Sequence, residues 1–152
     1  MEKNKKGFTL IELLVVISII GLLSTISVVA LNGARKKGRD ANRVSNIKQV
    51  QTALELYFND EYAYPIEIAA VTLGATGQLA LCGGATPGFK DACGTDKTYM
   101  GIIPANPTPG GAAYTYAIST GVTYEITFTL EEDTGGLAAG AYTASPNGIA
   151  KN

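Results

Sequence analysis

Phe8-Thr9-Leu10-Ile11-Glu12-Leu13-Leu14-Val15-Val16-Ile17 opens a run of 24 residues, Phe8 to Leu31, whose only charge is Glu12. Wound as an α-helix the run is roughly 36 Å long, enough to cross a hydrocarbon layer of about 30 Å. A secretory signal carries a shorter apolar region, roughly 7–15 residues, so this run reads as a spanning helix. Val28-Val29-Ala30 is the one small-residue stretch that favours the signal-peptide alternative. Before the run stand seven polar, net-positive residues, Met1 to Gly7. Bases flank the apolar segment on both sides, so the positive-inside rule does not choose its orientation.

Glu12 is the anomaly in this segment. A carboxylate inside a spanning helix costs about 2.5–3.5 kcal/mol on insertion scales unless it is compensated. One alternative is a side chain that reaches back to the headgroup region. The other is a partner: a cut between Gly7 and Phe8 creates an α-amino group one helical turn away, on the same chain or on a neighbour. Buried pairs of this kind are best attested as devices for register.

Lys6-Gly7-Phe8-Thr9-Leu10-Ile11-Glu12 and the apolar residues that follow resemble the processing and methylation motif of type IV prepilins. The resemblance implies cleavage after Gly7 by a prepilin peptidase and N-methylation of the Phe8 amine. It further implies that Glu12 guides docking onto the Phe8 amine of an adjacent subunit. It also implies a cytoplasmic leader, an outward-facing body and an assembly platform in the inner membrane.

Beyond Leu31, Asn32-Gly33 and Gly38 interrupt the helical composition, and bending or melting is expected there. Val44, Ile47, Val50, Leu54, Tyr57 and Phe58 then recur at spacings of three and four, one apolar face of a helix. The pattern stops at Asn59-Asp60, with Pro65 close beyond. A helix from Phe8 to Asn59 is therefore predicted, its second half offering a stripe to a globular head. Barely two heptads long, the stripe suits core packing better than a coiled coil. Ala53 to Tyr57, through Tyr64-Pro65, resembles the matching stretch of type II secretion major pseudopilins.

Charge is segregated. Residues 32 to 48 hold six bases against Asp40, a net +5, whereas Gln49 to Asn152 holds ten acids against three lysines, a net −7. The basic stretch reads as a solvated, membrane-flanking turn, with anionic lipid or nucleic acid as the sharper alternatives. A contact with acidic heads of neighbouring subunits is a further expectation.

Ile66 to Leu73 is apolar and leans to a short helix. Gly74 to Gly111 is rich in Gly, Pro, Ala and Thr and reads as irregular loop. It holds the two cysteines, Cys82 and Cys93, too far apart for a CxxC motif and too few for zinc. Outside the cytoplasm the expected state is a disulfide, with two free buried thiols as the alternative. Closing about a dozen residues contributes roughly 3 kcal/mol in the chain-entropy account. Pro104 to Gly111 is a rigid turn segment that resembles the proline-containing loop before the sheet in pseudopilin heads.

From Ala113 the period becomes two. Tyr114, Tyr116 and Ile118, then Tyr124, Ile126, Phe128 and Leu130, alternate with small or polar residues across a turn at Ser119-Thr120-Gly121, a hairpin signal. A third strand is expected at Gly140 to Ala144. Glu131-Glu132-Asp133 before Thr134-Gly135-Gly136 reads as a solvated acidic turn, with calcium binding as the alternative. No other cofactor is expected. The chain has no His, which removes the commonest nucleophile and metal constellations, and no enzymatic activity is expected.

The expected fold is α+β: a long N-terminal helix packed on a small antiparallel sheet, which the resemblance identifies with the pilin fold. Its parts are a leader (1–7), a transmembrane and filament-core helix (8–31), the amphipathic half of the helix (32–60), an αβ-loop region (61–112), and the hairpin sheet with C-terminal tail (113–152). The expected function is a structural subunit that polymerises with identical copies, membrane-anchored as precursor and at the cell surface when assembled. Alternatives are a pseudopilin of a type II secretion or DNA-uptake system, or a monomeric membrane-anchored binding module.

Overall fold

The computed structural model describes residues 7–118 and 121–152; Met1 to Lys6 of the leader and Ser119-Thr120 of the hairpin turn lie outside the described residues. The chain divides into two compact units, a stem up to Arg35 and a head from Lys36 to Asn152. One helix, α1 (Leu10–Glu61), supplies both. It starts and ends two residues later than the periodicity predicts. Gly21, Gly33 and Gly38 all lie inside it, so the expected melting at Gly33 and Gly38 does not occur.

In the head, Ile47, Val50, Leu54 and Tyr57 of the stripe read from the sequence are buried, with Ala53 beside them. Val44 and Phe58 pack against its margin. The opposing surface is a five-stranded antiparallel sheet in the order β1 (Val71–Thr72), β5 (Thr115–Ile118), β6 (Tyr124–Leu130), β7 (Gly140–Ser145), β8 (Gly148–Lys151). Strand β6 shows why the period-two signal was strong. Tyr124, Ile126, Phe128 and Leu130 all point into the core while Glu125 and Thr127 face water. Together with Tyr114, Tyr116, Tyr142 and Ala144 they close over the helical stripe. Some aromatic pairs in this core meet edge-on, Tyr64 against Tyr124 at 4.7 Å and Phe89 against Tyr116 at 4.9 Å, while Phe128 and Tyr142 stack at 5.6 Å.

Three readings are corrected. Ile66 to Leu73 forms no helix. Val71 and Thr72 pair with Tyr116 and Thr115 as an edge strand, and the Leu73 N–H continues the pairing to the Tyr114 carbonyl. Its β-branched residues suit that extended backbone better than a helix. Gly74 to Gly111 is not all loop, because it contains a second sheet in the order β3 (Gly88–Lys90), β2 (Ala80–Cys82), β4 (Thr98–Met100). Finally, β8 hydrogen-bonds to β7 through a turn at Pro146-Asn147, a strand that its mixed composition hides.

Cys82 and Cys93 form a disulfide with Cα atoms 5.3 Å apart. It ties the buried strand β2 to the loop before β4. The same region is held to the end of α1 by Asp60, which accepts from the Lys97 ammonium and, at 2.8 Å, from the Tyr99 hydroxyl. Tyr99 also sits edge-on to Tyr57, 5.3 Å away.

Leu54 is fully buried in this core, whereas its neighbour Leu56 is 53% exposed. Leu54→Ala is expected to destabilise the head by about 2–5 kcal/mol, and Leu56→Ala by no more than about 0.5 kcal/mol. Denaturant unfolding of the full chain in detergent, followed by tyrosine fluorescence, checks the contrast. Alkylation without reductant is expected to add no mass at Cys82 or Cys93.

Candidate functional site

Helix α1 begins with a capping box. Thr9 is the N-cap: its hydroxyl oxygen accepts the Glu12 backbone N–H at 3.3 Å, and Glu12 sits at the third helical position. The Glu12 carboxylate reaches back so that Oε2 accepts the Thr9 backbone N–H and the Thr9 hydroxyl, both at 2.7 Å. Two donors at the helix start are satisfied, and an acid is placed where the helix dipole favours it. Thr9-x-x-Glu12 carries the signature of this box in the sequence itself, a local partner for Glu12 beside the amine expected of it. Gly7 and Phe8 precede the helix in exposed, irregular backbone, and the Phe8 side chain is 88% exposed.

From Leu10 to Leu31 every side chain of the stem is exposed. The four hydroxyls of Ser18, Ser24, Thr25 and Ser27 are turned back onto carbonyls of their own helix at 2.7–2.8 Å. No polar side chain between Leu13 and Leu31 therefore needs water, and the segment is long and apolar enough to cross a membrane.

A second constellation, in the head, was not anticipated. Arg43 and Asp40 lie one turn apart on α1, and both are fully buried. Arg43 satisfies all five guanidinium donors. Nη1 donates to Asp40 at 2.5 Å and Glu131 at 2.6 Å, Nε to the Asn106 side chain at 2.7 Å, and Nη2 to the carbonyls of Pro107 at 2.9 Å and Gly110 at 2.6 Å. Asp40 in turn accepts the backbone N–H groups of Glu131 and Glu132, the latter at 2.8 Å. Arg39 grips the Glu131 carboxylate with two bonds, 3.0 and 2.8 Å, and Lys36 pairs with Glu132 at 3.1 Å. The two guanidinium groups, Arg39 foremost, hold the Glu131 carboxyl down at about 2, well below its ordinary 4.5.

Glycine is required where the loop meets this network. At Gly111, with φ +74°, an added Cβ would lie 2.9 Å from Arg43 Nε; at Gly110, with φ +86°, it would lie 2.7 Å from the Glu131 carboxyl.

The description "Prokaryotic N-terminal methylation motif" matches residues 3–28, the stretch that holds Gly7, Phe8 and the capping box. The N-terminal stem is thus similar to the stems of type II secretion pseudopilins and a type IV pilin. Type II secretion system core protein G of Dickeya chrysanthemi is 38% identical over 65 residues, 43% of this chain and 42% of the relative. Its counterpart in Escherichia coli is 41% identical over 62 residues, 41% of this chain and 43% of the relative. The type IV wide pilus major component PilA4 of Thermus thermophilus is 38% identical over 73 residues, 47% of this chain and 56% of the relative. The matched stretch thus spans less than half the length of these secretion proteins. No solved structure matches the chain.

The acidic turn is only partly solvated: Asp133 is exposed and accepts the Ala139 N–H at 2.8 Å, whereas Glu131 pairs with Arg39 and Arg43 and Glu132 with Lys36. Among the described residues no group of three His, Cys, Asp or Glu side chains is placed to hold a metal ion. Nor is the basic stretch merely a solvated face, because half of its bases are spent inside the head.

Two outcomes follow from the buried network. Arg43→Ala leaves Asp40 buried without its counter-ion, and is expected to destabilise the head by about 3–5 kcal/mol in denaturant unfolding. Because the folded Glu131 pKa is depressed, its contribution is full above about 4.5 and is lost as pH falls towards about 2. The thermal midpoint should drop across that window, and Glu131→Gln should lower the midpoint at neutral pH while flattening the drop.

Proposed function

We propose that this chain is the precursor of a filament subunit, cut between Gly7 and Phe8, methylated on the new Phe8 amine, and polymerised through its stem. The observation that carries the reading is the capped helix start. The carboxylate of Glu12 is drawn towards the chain end at which the cut would release a cation. Among the described residues only its Oε2 is engaged, by Thr9, which leaves Oε1 to accept from an amine. The capping bonds also make the carboxylate tolerable in the bilayer before assembly, since they replace part of its hydration. A stem apolar on every side has two stable environments, lipid and a bundle of identical stems. Transfer from one to the other leaves the head in water.

Relatives named as secretion-system and as wide-pilus components match to similar extents, so a surface pilus and a secretion pseudopilus share the same stem chemistry. On this reading a peptidase and methyltransferase act on Gly7-Phe8, and the inner-membrane assembly machinery extracts the mature subunit. A monomeric anchored module would need neither cleavage nor a partner for Glu12.

Intact-mass analysis of the mature protein is expected to give a chain starting at methylated Phe8. Glu12→Ala is expected to reduce sheared filaments by about tenfold or more, one decade corresponding to roughly 1.4 kcal/mol, while the precursor is still made and cleaved. A mature chain starting elsewhere, or normal filaments from Glu12→Ala, overturns the proposal.

A further inference from the structure

Among the apolar surfaces that the described head leaves uncovered, two are complementary. The first is a groove of about 510 Å³ whose walls include Ala41, Val44 and Lys48 from one side of α1 and Leu137 and Ile149 from the sheet end. Lys48 is exposed and has no ion pair among the described residues. The second is a knuckle at the end of α1. Tyr62, Ile66 and Val122 are 82%, 74% and 59% exposed, and they lie within two residues of the hydrogen bond from the Tyr64 N–H to the Gly121 carbonyl, 2.9 Å. Glu67 follows Ile66 and has no ion pair among the described residues.

Tyr62 gives the knuckle its interest. It caps the helix with φ +57°, its N–H bonded to the Phe58 carbonyl at 2.9 Å. This left-handed cap favours glycine, and a Tyr placed there is strained. Its ring recovers nothing within the head, since it stands in water. A strained, exposed aromatic beside exposed aliphatics has the composition of an interface anchor.

We propose that the knuckle of one copy of this chain docks in the groove of the next, Tyr62 entering between Val44 and Ile149 and Glu67 facing Lys48. Charge complementarity selects the second copy, because the groove is walled by an exposed base and the knuckle carries a half-buried acid, neither ion-paired among the described residues. The two surfaces differ and lie on one molecule, so their contact is heterologous and propagates without closing. Lys48 and Tyr62 are 14 residues apart on α1 and its cap, roughly 21 Å of helical rise. Parallel copies staggered by that distance bring knuckle and groove level.

The proposal rests on the filament reading and is tested on filaments of the full chain. Tyr62→Cys combined with Ile149→Cys is expected to give an oxidised ladder of dimers and higher species, which neither single variant gives. Lys48→Glu and Glu67→Lys are each expected to lower filament yield about tenfold, and the double variant to restore it within about twofold. Tyr62→Gly relieves the backbone strain, so it should keep or raise the cellular level of the chain while reducing filaments. Filaments of the cysteine pair without a ladder, or charge reversals with parental yield, overturn the docking. If Glu12→Ala abolishes filaments while every head variant assembles normally, the filament reading stands and this interface falls. If the parent chain forms no filament, both fall.

Discussion

Arg43 is a full positive charge held out of water, and the arrangement of the head follows from the need to satisfy it. Withdrawing a guanidinium and a carboxylate from solvent costs several kcal/mol per ion, which only a complete shell of partners offsets. Here the shell is complete: two carboxylates, one side-chain amide and two backbone carbonyls meet five donors. Those partners come from three places, the helix itself, the proline-containing loop at 106–110, and the residue after β6. The apolar stripe of α1 cannot set this alignment, since hydrophobic contact has no direction and a shift of one helical turn would preserve much of it. A shift of one turn would leave Arg43 and Asp40 facing the wrong groups. Burial supplies the bulk of the stability, and the ion network supplies register between helix and sheet.

The start of the stem applies the same logic on a smaller scale. A carboxylate in an apolar segment is tolerable only where donors are fixed around it, and Thr9 fixes two. What looked like an acid in search of a partner is an acid already half satisfied. The capping box does not compete with the proposed pairing to a neighbouring amine, because Thr9 engages Oε2 and not Oε1.

What was legible in the sequence is what depends on local period. The all-apolar run, the three-and-four stripe from Val44 to Phe58 and the alternation through β6 each encode their own element, and each lies within a few residues of where it was read. The three-stranded sheet between Ala80 and Met100 was not legible. Its strands are three residues long, and each is a strand only because another pairs with it. The Arg43 network was hidden for a related reason. Arg43 and Asp40 sit in a basic run that resembles a solvated helix face, and Glu131 lies 88 residues away. One clue was available: Asp40 and Arg43 are three apart, on the same side of the helix as Ile47, Val50 and Leu54, so extending the stripe by one turn would have put both charges in the core.

This pairing changes what the basic run can do. Read as a sequence, residues 32 to 48 offer a net +5 to any anionic partner. In the folded head Lys36, Arg39 and Arg43 are tied to Glu132, Glu131 and Asp40, which leaves Arg35, Lys37 and Lys48 without an ion pair among the described residues. Affinity for a phosphate backbone scales with the number of cations that can displace its counterions. Three dispersed bases give a weak polyanion site, one that screening at physiological salt erodes further. Half of the basic run that suggests DNA or lipid is therefore an internal device, by which the helix of this chain recognises its own sheet.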